Sequence, residues 1–187
     1  MIWIRMKGIV FNLLEELVCR EHGEDTWDDL LDSTGLTGAY TSLGSYPDEE
    51  VTRLVAAAAE RFALPPADVL RWAGRGAMPL LARKYPGFFA GHSTTRSFVL
   101  TLNDIIHPEV RKLYPGADTP EFDFDTRMPG ELVMGYQSAR RLCALAHGFI
   151  EGAADHYGER LEYRHVRCMH DGDSRCVSHL RFEPLSP

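Results

Sequence analysis

Arg140 stands where a hydrophobic core would otherwise continue. Leu132-Val133-Met134-Gly135 precede the segment Tyr136-Gln137-Ser138-Ala139-Arg140, and Leu142, Cys143, Ala144, Leu145 and Ala146 follow it. An isolated guanidinium is costly in an apolar interior unless a counter-charge meets it. Its planar fork of N–H donors matches a carboxylate or a phosphate, and Tyr136 and Ser138 add two O–H donors beside it. The plain alternative is an arginine at the surface or in a salt bridge. If it is buried, Arg140 obliges the fold to deliver an anion, and the rest of the chain must say which.

The chain has 187 residues, 44% hydrophobic and 25% charged, which suits one compact domain, or two lobes sharing a core, rather than disorder. A net charge of −7 without a long basic run argues against a nucleic-acid partner. No apolar run approaches the ~20 residues that cross a bilayer. The opening Met1-Ile-Trp-Ile-Arg-Met6 is too short for a signal peptide and has no cleavage pattern; Met6 could equally be the start, with the residues before it an extension. The expected compartment is the cytoplasm. There Cys19, Cys143, Cys168 and Cys176 are expected as thiols or metal ligands rather than disulfides.

Helical periodicity predicts a helix from Gly8 to Arg20, with Val10, Phe11, Leu14, Leu17 and Val18 inward, and a short one over Trp27–Leu31. Gly35–Pro47 reads as loop and Asp48–Phe62 as helix. Pro65-Pro66 breaks the chain before short helices over Asp68–Ala73 and Met78–Tyr85. A strongly apolar helix is predicted over Thr95–Ile106, meeting His107-Pro108, with helix resuming over Glu109–Tyr114. Leu132–Tyr136 reads as a strand. Ser138 could cap a helix to Tyr157. Leu161–Cys168 and Arg175–Phe182 read as strands joined through Asp171-Gly172-Asp173-Ser174, a hairpin signal. Helices first, then a small antiparallel sheet carrying one long helix, make an α+β fold in a single domain over residues 1–187.

Neither GxxxxGK(S/T) nor GxGxxG occurs, so no phosphate loop serves Arg140. A non-covalent haem is an anion of suitable kind, because its propionates pair with an arginine fork and hydroxyl donors. It also needs an apolar slot and an axial ligand, and His107, at the end of a very apolar helix, is the candidate. Standing alone, such a histidine is equally a satisfied or partly exposed side chain. The absence of CxxCH excludes covalent attachment of the c type.

Five segments carry a resemblance. They are Met6-Lys7-Gly8 with the following Leu-Leu-Glu-Glu, Tyr85-Pro86-Gly87-Phe88-Phe89, Leu102-Asn103-Asp104-Ile105-Ile106-His107-Pro108-Glu109-Val110, Leu113-Tyr114-Pro115-Gly116-Ala117, and Tyr136, Ser138 and Arg140 as Tyr-x-Ser-x-Arg. Over nearly its whole length the sequence resembles the haem nitric oxide/oxygen-binding (H-NOX) family of stand-alone bacterial type, related to the haem domain of soluble guanylate cyclase. The resemblance implies haem b between a helical distal lobe, approximately residues 1–65, and a proximal lobe, residues 66–187, with helices and a four-stranded antiparallel sheet. It implies His107 as the proximal iron ligand, Tyr136, Ser138 and Arg140 as propionate holders, Pro120 pressing the haem out of plane, and Val10 touching its opposite edge.

Distal polarity then sorts the gases, because ferrous-bound oxygen benefits from a hydrogen-bond donor and NO does not need one. Oxygen-binding relatives carry a tyrosine nine residues after the first Tyr of the motif; here Leu145 stands there, with Leu14 and Leu81 as apolar neighbours. The expected ligands are NO and CO, the output a break of the iron–His107 bond that regulates a partner, and an oxygen-binding sensor is the alternative. For a stand-alone protein the resemblance implies a histidine kinase or a cyclic-di-GMP enzyme as that partner.

Cys143, His165, Cys168 and Cys176 form a late set of soft ligands suited to a closed tetrahedral zinc. Their spacing is unlike a C-x2-C knuckle, but certain H-NOX members hold zinc in a closely similar pattern. In a regular strand His165 and Cys168 would face opposite ways, so the strand must bend or end near Cys168. Zinc loss with disulfide formation would add a redox input, and a zinc-stapled redox-sensing adaptor is a competing function. A zinc hydrolase or deaminase is the other competitor; neither HExxH nor HxE with PCxxC occurs, and an enzyme is not expected. Cys19 is expected in the core, and His147, His156, His170 and His179 are given no role.

Overall fold

A computed structural model describes residues 5–185. The expectation that residues ahead of Met6 are an extension therefore falls, apart from Arg5, outside the described residues. Helix α1 (Gly8–His22) is buried on two sides, not one. Phe11, Leu14 and Val18 enter one core, while Ile9, Leu13 and Leu17 enter another. Helices α2 (Glu24–Thr34) and α3 (Asp48–Phe62) close the first core through Trp27, Leu30, Val51, Leu54 and Val55. Asp48, Glu49 and Glu50 sit at the positive end of α3, and Gly35 ends α2 in the left-handed conformation at φ 63°. The loop expected over Gly35–Pro47 ends in a strand: β2 (Ser45–Pro47) pairs antiparallel with β1 (Arg5–Lys7). Strands of three residues carry too little periodicity to read from sequence.

The short helices predicted over Asp68–Ala73 and Met78–Tyr85 are one helix, α4 (Pro66–Lys84), with Pro79 inside it. Gly74, Gly76 and Pro79 all lower its intrinsic helicity. Packing overrides them, because α4 lies directly on α7 (Cys143–His156). A Cβ on Gly74 would collide with the Leu145 carbonyl, and one on Gly148 with the Arg71 carbonyl. The predicted helix over Thr95–Ile106 is instead broken. Helix α5 covers Thr95–Val99, a wide turn follows over Leu102–Ile106, and α6 runs His107–Leu113. Within the turn the Ile106 N–H reaches back five residues to the Thr101 carbonyl, 3.0 Å away. Pro108, which has no N–H to continue a regular ladder, lies just beyond.

The main sheet is antiparallel in the order β3 (Glu121–Asp125), β4 (Leu132–Gln137), β6 (Cys176–Pro184), β5 (Glu159–Arg167), which confirms the α+β class. Its inner face buries Leu132, Met134 and Leu180 against Met78, Phe98, Ile150 and Ala153. The hairpin falls at the expected place, with Gly172 at φ 99°. Strand β5 stops at Arg167 after an irregularity between His165 and Arg167, so Cys168 is free of the strand's alternation, as the ligand pattern requires. Ser138 does not cap α7, which starts at Cys143. Its hydroxyl accepts from the Arg140 N–H at 3.2 Å and its carbonyl from the Arg141 N–H at 3.1 Å, and Arg141 turns left-handed at φ 53°. That turn delays the helix. Among the described residues no helix is long and apolar enough to cross a membrane.

Candidate functional site

The Arg140 side chain is only 8% exposed, and Asp48 and Asp118 supply its counter-charges. Nε donates to Asp48 Oδ2 at 2.8 Å, and Nη1 to the Asp118 carbonyl at 2.8 Å and to Asp118 Oδ2 at 3.0 Å. Nη2 donates to the Arg5 carbonyl at 2.9 Å. The arginine thus ties the β1–β2 ribbon and the start of α3 to the segment after β4. Asp48 is shielded, and burial raises its carboxyl pKa against the pull of Arg140. Asp118 is 61% exposed, so that arm of the fork is solvated and weakly held.

Tyr136 is buried at the end of β4, and burial pushes its phenol up to about 12. Ser138 and the Leu142 backbone pull the other way. The phenol is held protonated, and with the Ser138 hydroxyl and the Arg140 fork the segment carries the donor types that suit a carboxylate. His107, half-buried at the start of α6, is pushed down to about 4 by burial and then by Arg111, with the Pro120 backbone favouring the charged ring against them. A neutral imidazole keeps a lone pair on one ring nitrogen, which is what a metal takes. The fit to a haem iron lies in that ring.

The expected haem-facing side chains divide. Val10, Leu81 and Leu145 are half-buried, and Val10 and Leu81 pack on one core with Tyr114, just past the end of α6. Leu14 is buried in the α1–α2–α3 core instead. Pro120 lies at the His107 ring. Two neighbours were not read from the sequence. Phe122 lies with its ring 5.7 Å from His107 and 5.6 Å from Tyr136, so one β3 side chain bridges the two groups. Asn103 fixes that strand from the wide turn, accepting the Phe122 N–H at 3.2 Å and donating to its carbonyl at 2.5 Å. Nothing in the local periodicity marks either role.

The four late ligands do converge. The ligand atoms of Cys143, His165, Cys168 and Cys176 all lie within 4.8 Å of one another. Tetrahedral zinc with Zn–S near 2.3 Å needs sulfurs about 3.8 Å apart, so small shifts would close the set. Burial, then Cys176 and Cys168 beside it, push the Cys143 thiol up to about 12, and burial raises Cys176 too. Without a cation these groups stay protonated, and a bound zinc would have to displace their protons. The cluster shares a small core with Tyr136, which sits opposite Cys176 in the β4–β6 register.

The haem-NO-binding family model matches residues 7–165. The H-NOX protein of S. oneidensis in its Fe(II)NO state is 31% identical, covers 95% of this chain and 99% of its own, and superposes with a TM-score of 0.90. The Fe(II)CO state of the Shewanella oneidensis domain is likewise 31% identical, with coverage of 95% and 99% and a TM-score of 0.87. The unliganded Fe(II) H-NOX protein of K. algicida is 25% identical, covers 95% and 97%, and gives 0.85.

In haem-free protein, an NMR titration of the His107 ring should show a midpoint near pH 4 in place of 6.5. Between those values the unfolded chain binds more protons than the folded one. This group's contribution to unfolding free energy should therefore be constant above pH 6.5 and be lost as pH falls towards 4. A midpoint at the ordinary value would mean a solvated ring.

Proposed function

The chain belongs to the haem-NO-binding family, and on that premise we propose that it is a ferrous b-type haem sensor of nitric oxide that regulates a partner protein. The observation that carries this reading is the half-buried His107, held neutral by burial and set one aromatic ring, that of Phe122, away from the buried Tyr136. Bound haem would supply a ferrous iron that takes a diatomic gas. His107 would hold that iron. Tyr136 and Ser138 would offer hydroxyls to a propionate, and Arg140 would turn the arm now on solvated Asp118 to a carboxylate of the haem. Pro120 and Val10 would contact the cofactor and distort it. In this reading residues up to about 65 are the distal lobe and the rest the proximal lobe.

Leu14, Leu81 and Leu145 carry no hydrogen-bond donor for a distal ligand, which favours NO and CO over oxygen. The S. oneidensis relative has been seen with each of those two gases. Ferrous haem-loaded protein should show a strong Soret band that shifts with NO and with CO. Air should produce no stable oxygen complex; a persistent one would overturn the gas assignment.

Release of His107 on NO binding would free α6. That helix has only seven residues, and its preceding turn is clamped to β3 by Asn103, so a shift of His107 reaches the sheet. Such an element is biased by ligand between two arrangements. The output then passes by contact to a histidine kinase or a cyclic-di-GMP enzyme. With His107→Gly and added imidazole, haem should still take NO while the partner's activity stops responding. A response equal to that of the native protein would refute the route through His107.

Cys143, His165, Cys168 and Cys176 are proposed to hold a structural zinc, and the convergence of their ligand atoms supports this. Loss of that ion, with oxidation of the freed thiols, would add a redox input beside the gas input. Reduced protein should contain about one zinc per chain by elemental analysis, four ligands serving one ion. Cys176→Ala should lose it, and reduced native protein without zinc would remove this second site.

A further inference from the structure

The thiol cluster and the hydroxyl–guanidinium segment are joined by two routes. One is the β4–β6 ladder, which sets Tyr136 opposite Cys176. The other is the exposed His170. Its Nε2 lies 2.8 Å from the carbonyl oxygen of Arg141, and because a carbonyl can only accept, Nε2 carries the proton. Arg141 is the residue held left-handed at φ 53°, between Ser138 and Cys143. A side chain with a Cβ adopts that conformation only where something holds it there. Here the holders are the Ser138 carbonyl, which accepts the Arg141 N–H at 3.1 Å, and His170.

His170 is itself placed by the loop around the thiols. It sits in a single 3-10 turn, Met169–Asp171, directly after Cys168. The Met169 N–H donates to Cys176 Sγ at 3.3 Å, and the Cys168 N–H to Asp173 Oδ2 at 3.0 Å. The Asp171 and Asp173 N–H groups both return to the Cys168 carbonyl, at 2.9 and 3.3 Å. The turn is wrapped on sulfur. A ladder of backbone hydrogen bonds survives when an ion leaves, but a short turn wrapped on thiols depends on what holds the sulfurs. A solvent-exposed imidazole–carbonyl bond contributes little unless its donor is already in position.

We propose that His170 is a positioning residue that carries the state of the thiol cluster to the propionate-facing segment, by keeping Arg141 left-handed and so fixing Ser138 and Arg140. The inference rests on the zinc reading above. With the sulfurs gathered on an ion, the turn is ordered and His170 reaches Arg141. With the ion removed, the turn loosens, Arg141 relaxes, and the hydroxyl and guanidinium lose their fixed placement while Tyr136 stays in its strand.

The test uses ferrous, haem-loaded protein, native and with His170→Ala or His170→Gln, each with zinc and after chelation. Hydrogen exchange is read over residues 138–143 and, separately, 168–176, with zinc content and the propionate bending bands in resonance Raman spectra. In native protein zinc should slow exchange in both segments by about tenfold, a local-opening effect, and chelation should shift the propionate bands. His170→Ala should keep its zinc and the protection of 168–176 but lose the zinc dependence at 138–143 and in the bands. His170→Gln, whose amide can donate from the same reach, should restore both. If His170→Ala retains the zinc dependence at 138–143, the link is overturned although the metal site stands. If native protein holds no zinc, the metal reading fails first, and the link with it.

Discussion

Helices α4 and α7 touch backbone to backbone, and the positions of both candidate centres follow from that contact. Gly74 meets the Leu145 carbonyl and Gly148 the Arg71 carbonyl, with no room for a Cβ at either place. With no side chains between them, α7 is pressed down between α4 and the sheet. Its sheet-facing residues Ile150 and Ala153 fill the main core, its first residue Cys143 reaches the other thiols, and Leu145 is left half-buried beside α4. From the other helix, Val69, Met78 and Leu80 enter three different cores, so α4 is common to all of them. A larger residue at Gly74 or Gly148 would have to part the helices, moving the apolar wall and the thiol cluster together.

Charge completes what packing begins. Arg140 joins parts of the chain 92 and 135 residues apart in sequence, through Asp48 and the Arg5 carbonyl. Burial works against Asp48 even with the guanidinium beside it, so the pair specifies position more than it adds stability. The solvated Asp118 arm is the one that another carboxylate could replace at small cost. In the proposed reading this lets one arginine both hold the lobes in register and receive a propionate.

Much of the framework was legible, and the reasons are local. Helices α1 and α3 announce themselves by apolar spacing and by their ends, and the β5–β6 hairpin by Gly172 in its turn. The misreadings have equally specific causes. Helix α4 reads as two short helices because local propensity is blind to the packing of α7. Ser138 looked like a cap because its hydroxyl does accept an N–H, but that of Arg140 in a turn, with Arg141 left-handed behind it. The apolar run ahead of His107 looked continuous, although the wide turn at Leu102–Ile106 divides it. Strand β3 alternates apolar and acidic residues, Glu121-Phe-Asp-Phe-Asp, a pattern visible in the sequence but too short to be persuasive alone.

The sequence by itself determined the chemistry in reserve: an imidazole before a proline, a phenol, hydroxyl and guanidinium in one short segment, and three thiols with a histidine near the end. For His165 and Cys168 to share one ion it also required the strand to bend or end near Cys168, because alternation in a strand fixes which way neighbours face, and β5 does stop at Arg167. Only the tertiary structure decided what each group meets. It placed Asp48 and Asp118 on Arg140, Phe122 between His107 and Tyr136, and the Arg141 carbonyl on His170. Periodicity tells a residue which side of its own element is buried. Which partner waits there is settled by long-range packing and charge, between residues that share no local pattern.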